Sequence, residues 1–114
     1  MKRYCLTLDL VDDPVLIAEY ERMHDEIWPE IVEAIHAAGI SRMEIYRLGT
    51  RLCMVMETVD SFSFEAKAAA DARNEAVQRW EELMWKYQRA VPGSKAGEKW
   101  RIMERLFVTE QAAH

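Results

Sequence analysis

The sequence predicts an α+β domain in which helices pack on one face of a four-stranded antiparallel sheet. Three observations carry this. Apolar side chains alternate with period two near the start, middle and end of the chain. Apolar side chains recur at helical spacing in the stretches between. Turn and cap residues separate these runs in the order strand, helix, strand, strand, helix, strand.

Tyr4, Leu6, Leu8 and Leu10 alternate with Arg3, Cys5, Thr7 and Asp9, the pattern of a strand with one buried face. Asp12 or Asp13 caps a helix whose first position is Pro14. Leu16, Tyr20, Met23 and Ile27 continue it until Pro29, which lacks an N–H and disfavours helical geometry at Trp28, so a break is expected near Ile27. The helix restarts at Pro29, continues through Ile31, Val32 and Ile35, and ends at Gly39. Arg42–Arg47 reads as a strand, Leu48–Gly49–Thr50 as a turn, and Leu52–Thr58 as a central strand that is apolar on both sides. Ser61 opens an Ala-rich helical stretch to about Arg73, and Asn74 marks a break. Val77, Trp80, Met84 and Tyr87 then form an amphipathic face. A loop follows from Val91 to about Glu98, and Trp100, Ile102, Leu106 and Val108 alternate in a last strand. The tail from about residue 109 reads as loose. This order is the split βαβ, or ferredoxin-like, arrangement βαββαβ. Its helices cover one sheet face; the bare, partly apolar face is expected to be covered by a second copy of the chain, by a ligand or by a loop.

Composition narrows the function. The 114 residues suit one domain, and half are hydrophobic, enough for a core without staples. Lys plus Arg is 15 and Asp plus Glu is 20, a net charge of -5 with no basic cluster, which argues against nucleic acid. Asp9, Asp12 and Asp13 interrupt the N-terminal region before any long apolar run forms. No secretory signal or membrane span is therefore expected, and the expected location is the cytoplasm. Cys5 and Cys53 read as small buried hydrophobes. His24, His36 and His114 have no metal-ligand spacing, and no Gly-rich phosphate loop or nucleophile elbow is present.

The chemistry-bearing stretch is Tyr20–Glu30, in which Tyr20, His24 and Trp28 are spaced four apart beside the apolar stripe. A lone helix-edge histidine is more commonly a surface or satisfied core residue, and Tyr20 and Trp28 are more commonly core flanks. An imidazole beside a phenol and an indole nevertheless places polar tips where a pure core would waste them. Trp80 reads first as core and second as a sugar-stacking face; Glu81 reads first as a solvated helix residue. Imidazole, phenol, indole and a carboxylate without a cofactor suit proton-transfer chemistry: isomerisation, epimerisation or tautomerisation.

Glu19–Ile31 (EYERMHDEIWPEI), the Gly39 turn, the Glu44–Ile45–Tyr46 strand and Gln78–Met84 (QRWEELM) together resemble the L-rhamnose mutarotases, in order and spacing, over Tyr4–Val108. The resemblance implies a homodimeric ferredoxin-like fold, paired as a dimeric α/β barrel. It implies cofactor-free interconversion of sugar anomers, with a monosaccharide substrate, a proton donor at His24 and substrate contacts at Tyr20 and Trp80. Trp28 is a further candidate pocket wall. The chain departs from the family's sugar-contacting pattern at Met43, in place of a tyrosine, and at Glu81, in place of a second tryptophan. The expected substrate is therefore a 6-deoxy-L-hexose, with L-fucose favoured over L-rhamnose. Cofactor-free monooxygenases and lactone isomerases share the dimeric fold, and a non-catalytic sugar-binding module is a further alternative.

Overall fold

The structure, a computed structural model, describes residues 1–111. Its elements are β1 (Lys2–Leu10), α1 (Pro14–Asp25), α2 (Pro29–Ala37), β2 (Ile40–Leu48), β3 (Arg51–Thr58), α3 (Phe64–Ala72), α4 (Glu75–Met84), β4 (Gln88–Arg89) and β5 (Arg101–Ile102). The sheet order is β2-β3-β1-β4, with β5 also on β1 and every pairing antiparallel. This is the ferredoxin-like order, with β1 and β3 at the centre.

Stereochemistry fixes the helix ends. The Asp13 carboxylate accepts from the amides of Val15 (2.9 Å) and Leu16 (3.4 Å), and Pro14 stands at the first helical position. The chain leaves the helix at Glu26 and re-enters it with Pro29, as the proline predicts. Gly39 ends α2 at φ +94°, and a Cβ there would lie 2.9 Å from Val59 Cγ2, so glycine is required on two counts. Asn74 caps α4 through the amides of Ala76 and Val77.

Three expectations about elements are corrected. Ser63, not Ser61, caps α3, its hydroxyl accepting from Ala66 N at 3.2 Å. The stripe expected to reach Tyr87 ends with α4 at Met84; Tyr87 is buried in the turn that leads to β4, a strand the sequence pattern does not announce. The last strand is two residues long and extends by one further bond, from Met103 N to Cys5 O at 2.7 Å. Beyond it the apolar alternation stays largely exposed among the described residues: Leu106 is 93% exposed, Phe107 81% and Val108 55%. Residues 109–111 carry no regular structure, and the remainder of the expected loose tail, with His114, lies outside the described residues.

Leu6, Leu8 and Leu10 of β1 and Leu52, Met54 and Met56 of β3 point to the helices and are buried with Tyr20, Ile31, Val77, Trp80 and Met84. Each fully buried aliphatic side chain contributes about 1.5–3 kcal/mol. The opposite face carries no helix among the described residues. Its rows run Arg3–Glu57–Arg42, Cys5–Val55–Glu44 and Thr7–Cys53–Tyr46. Cys5 and Cys53 therefore lie half-exposed on this face rather than in the core, because the register puts them on the odd side of each strand. Their sulfurs are 3.2 Å apart, and burial together with the neighbouring thiol pushes Cys5 up to about 11, so it stays a protonated, unreactive thiol at neutral pH. No described helix is long and apolar enough to cross a membrane.

Candidate active site

A cavity of about 500 Å³ opens between the sheet and the helices. Its walls come from α1 (Tyr20, His24), α4 (Trp80, Glu81), the inner sheet face (Met43, Met54, Met56), β4 (Gln88), α3 (Lys67, Asp71) and the loop before β5 (Lys99, Trp100).

Tyr20 and His24 are one helical turn apart, so their rings share a face, with centroids 4.2 Å apart. His24 Nδ1 lies 2.9 Å from the Tyr20 carbonyl oxygen. A carbonyl only accepts, so Nδ1–H donates and Nε2 is left as the unprotonated acceptor. Burial lowers the imidazole's pKa below its usual 6.5, against smaller upward effects of the Tyr20 carbonyl and Asp25. The ring is therefore neutral at pH 7. Tyr20 is 3% exposed, and burial pushes its phenol up to about 12, with the Glu81 carboxylate adding to the rise and the Gln88 hydrogen bond opposing it. It stays protonated at neutral pH.

Trp80 is both core and wall. It is 6% exposed, yet it lines the cavity and meets His24 edge to face, with centroids 5.6 Å apart. Trp28 does not line the cavity. Its ring stands edge to face against Trp80 at 5.0 Å, because the break before Pro29 ends α1 at Asp25 and takes Trp28 out of the Tyr20–His24 stripe. It supports the wall from outside. Met43 lies on β2 opposite Met56, in the part of the cavity where it packs against Leu6, Met54 and Met56. Glu81 reaches the cavity but is not a free acceptor: Lys99 Nζ contacts its Oε2 at 2.5 Å and its backbone carbonyl at 3.0 Å. On α3, Lys67 and Asp71 form another rim ion pair.

Among the wall residues not legible as such in the sequence are four hydrophilic ones. Gln88 and Lys99 enter through pairing between distant segments, whereas Lys67 and Asp71 pair four apart on α3 and reach the cavity by the packing of that helix. No group of three or more metal-ligating side chains occurs among the described residues.

Fold and cavity together define a ferredoxin-like α+β protein with a neutral imidazole and a protonated phenol side by side in a largely apolar pocket. The profile of the family described as L-rhamnose mutarotase matches residues 3–109. The chain is 49% identical to an L-fucose mutarotase of Xanthomonas campestris pv. campestris, over 98% of this chain and 91% of that protein. It therefore belongs to the L-rhamnose mutarotase family, whose mutarotases are carbohydrate isomerases. Among solved structures, an L-rhamnose mutarotase from Formosa agariphila superposes with a TM-score of 0.71 at 20% identity, covering 96% of this chain and all (100%) of that one. A dimeric ferredoxin-like protein from an uncultured marine organism superposes with a TM-score of 0.54 at 14% identity, over 95% of this chain and 91% of that one.

Proposed function

We propose that the protein is a mutarotase that interconverts the α and β anomers of a 6-deoxy-L-hexose, and that it favours L-fucose over L-rhamnose. The observation that carries the reading is the Nδ1–H bond from His24 to the Tyr20 carbonyl, which leaves Nε2 as a base beside a protonated phenol in one cavity. Nε2 takes the proton of the anomeric hydroxyl as the C1–O5 bond breaks, and the Tyr20 phenol donates to the departing ring oxygen. Rotation about C1–C2 and the reverse transfers close the other anomer. His24 thus gives a proton only after it has taken one. Acid–base help of this kind is worth ~10²–10⁴-fold. Trp80 offers an indole wall for the sugar's C–H face.

The preference for L-fucose is supported by the 49% identity to a protein of that name. It is supported also by the pair Met43 and Glu81, since the two sugars differ in hydroxyl configuration and not in their methyl group. A Glu81–Lys99 pair presents both an acceptor and a donor where an indole would present neither acceptor nor charge.

The same reading makes the chain one domain acting as a homodimer. The helix-free sheet face holds Val55, Cys53 and a 57% exposed Tyr46, and the run Leu106–Phe107–Val108 stands out from the chain unburied. Apolar surface of this kind fits a second copy. Saturation-transfer NMR with catalytic amounts of protein tests the function. Anomer exchange above the buffer rate, faster for L-fucose, supports it; buffer-rate exchange for both sugars refutes it.

A further inference from the structure

Two buried side-chain atoms among the described residues lack a hydrogen-bond partner: Gln88 Oε1 and Ser94 Oγ. Of the two residues, Gln88 lines the cavity. It is 6% exposed, sits on β4 opposite Leu10, and directs its Nε2 to the Tyr20 hydroxyl at 3.5 Å. We propose that Gln88 is a substrate-binding residue: its carboxamide hydrogen-bonds one ring hydroxyl of the sugar and so fixes the sugar's register against His24. This rests on the mutarotase reading above.

A buried carboxamide oxygen without a donor is disfavoured, and native proteins almost always satisfy such a group. One end of the Gln88 amide is occupied by Tyr20; the other has no partner, and because the side chain lines the cavity a turn of the carboxamide brings it to whatever fills that cavity. A hydroxyl suits it in either amide orientation, because it donates and accepts; a carboxylate or an ammonium group suits only one. The chemistry selected is therefore a polyol. The placement fits as well. Tyr20 lies between Gln88 and His24, 3.5 Å from one and with its ring centroid 4.2 Å from the other's. A hydroxyl held by Gln88 thus belongs to the same small ring whose anomeric centre meets His24. Specificity of this kind is steep, since a site built to bond a hydroxyl is left with an unpaired polar group when that hydroxyl is absent or moved.

The test uses the full chain with Gln88→Leu and Gln88→Met. The methionine variant keeps the side chain's length and carries the test should the leucine variant fold poorly. KM and kcat come from anomer exchange on L-fucose, and Kd comes from sugar titration followed by tryptophan fluorescence. The expected result is a rise of about ten-fold in KM and Kd, the weight of one hydrogen bond, with a smaller loss in kcat from the Tyr20 contact. Among the 2-, 3- and 4-deoxy derivatives of L-fucose, one should bind wild type and variant equally well, because it lacks the hydroxyl that Gln88 holds. Unchanged KM and Kd in a folded variant would overturn the proposal. So would an equal loss with every deoxy sugar, which would mean that Gln88 acts only by propping Tyr20. Wild-type binding that the variants weaken, without any exchange, would instead refute the mutarotase reading and keep Gln88 as a binding residue.

Discussion

Trp80 is where the core and the proposed site coincide, so its removal should register in both stability and activity, by different amounts. Trp80→Ala deletes an indole that is 6% exposed and packed edge to face on His24 and Trp28. Truncating a buried Trp or Phe to Ala costs about 3–5 kcal/mol, and each edge-to-face contact is worth about 0.5–1.5 kcal/mol within that total. The new void merges with a cavity of about 500 Å³ that already exists and can admit water. The cost should therefore fall at the lower end, about 3 kcal/mol, or roughly 10–15 °C in Tm for a chain of this size. Trp80→Phe keeps an aromatic wall and should cost about 1 kcal/mol, with a rise of a few-fold in the KM for anomer exchange and a smaller change in kcat. Urea denaturation gives the first quantity and saturation-transfer NMR the second. A loss under about 1 kcal/mol for the alanine variant would show that the ring is not packed as described. An unchanged KM in the folded phenylalanine and alanine variants would remove Trp80 from the site and leave it as core alone.

Further outcomes follow from the same geometry. The exchange rate above buffer should rise with pH through a midpoint below 6.5 and be level by pH 7, because burial lowers the His24 pKa and the neutral form is the base. By linkage, its contribution to stability is present above about pH 6.5, the unfolded value, and is lost as pH falls through the folded one. A midpoint above 6.5 would contradict the assignment. Sedimentation should give twice the 13.4 kDa chain mass, and Leu106→Asp with Phe107→Asp should shift it to one chain. A wild-type monomer, or a dimer indifferent to both changes, would refute the role given to that segment. Glu81→Gln should narrow the difference between L-fucose and L-rhamnose, and Met43→Tyr with Glu81→Trp should move preference toward L-rhamnose; equal rates throughout would show that these positions do not set specificity.

The parts legible in the sequence are those written in local stereochemistry. Asp13, Pro14, Pro29 and Gly39 punctuate α1 and α2 because cap geometry, a missing N–H and a positive φ are properties of single residues. The Tyr20–His24 pair was legible because helical spacing alone makes neighbours of residues four apart. Trp28 kept that spacing but lost the helix at the proline break. The rest depends on pairing between distant segments. Gln88–Arg89 is too short for any periodicity and becomes a strand only against Asp9 and Leu10. Cys5 and Cys53 meet only through the β1–β3 register. Lys99 converts Glu81 from a free acceptor into half of an ion pair across 18 residues of sequence. The alternation at Leu106 and Val108 predicted burial, and among the described residues both stay largely exposed.

The central claim is that His24 Nε2 moves the anomeric proton. The most direct measurement is saturation-transfer NMR of L-fucose with wild type and His24→Ala at equal concentration, with the Tm of each recorded. The imidazole is half-buried at the cavity edge and makes one hydrogen bond to its own helix, so its removal should cost little stability, about 1 kcal/mol. The account predicts that exchange falls by ~10²-fold or more, to near the buffer rate, while the fold persists. A folded His24→Ala protein that exchanges anomers at the wild-type rate would contradict it.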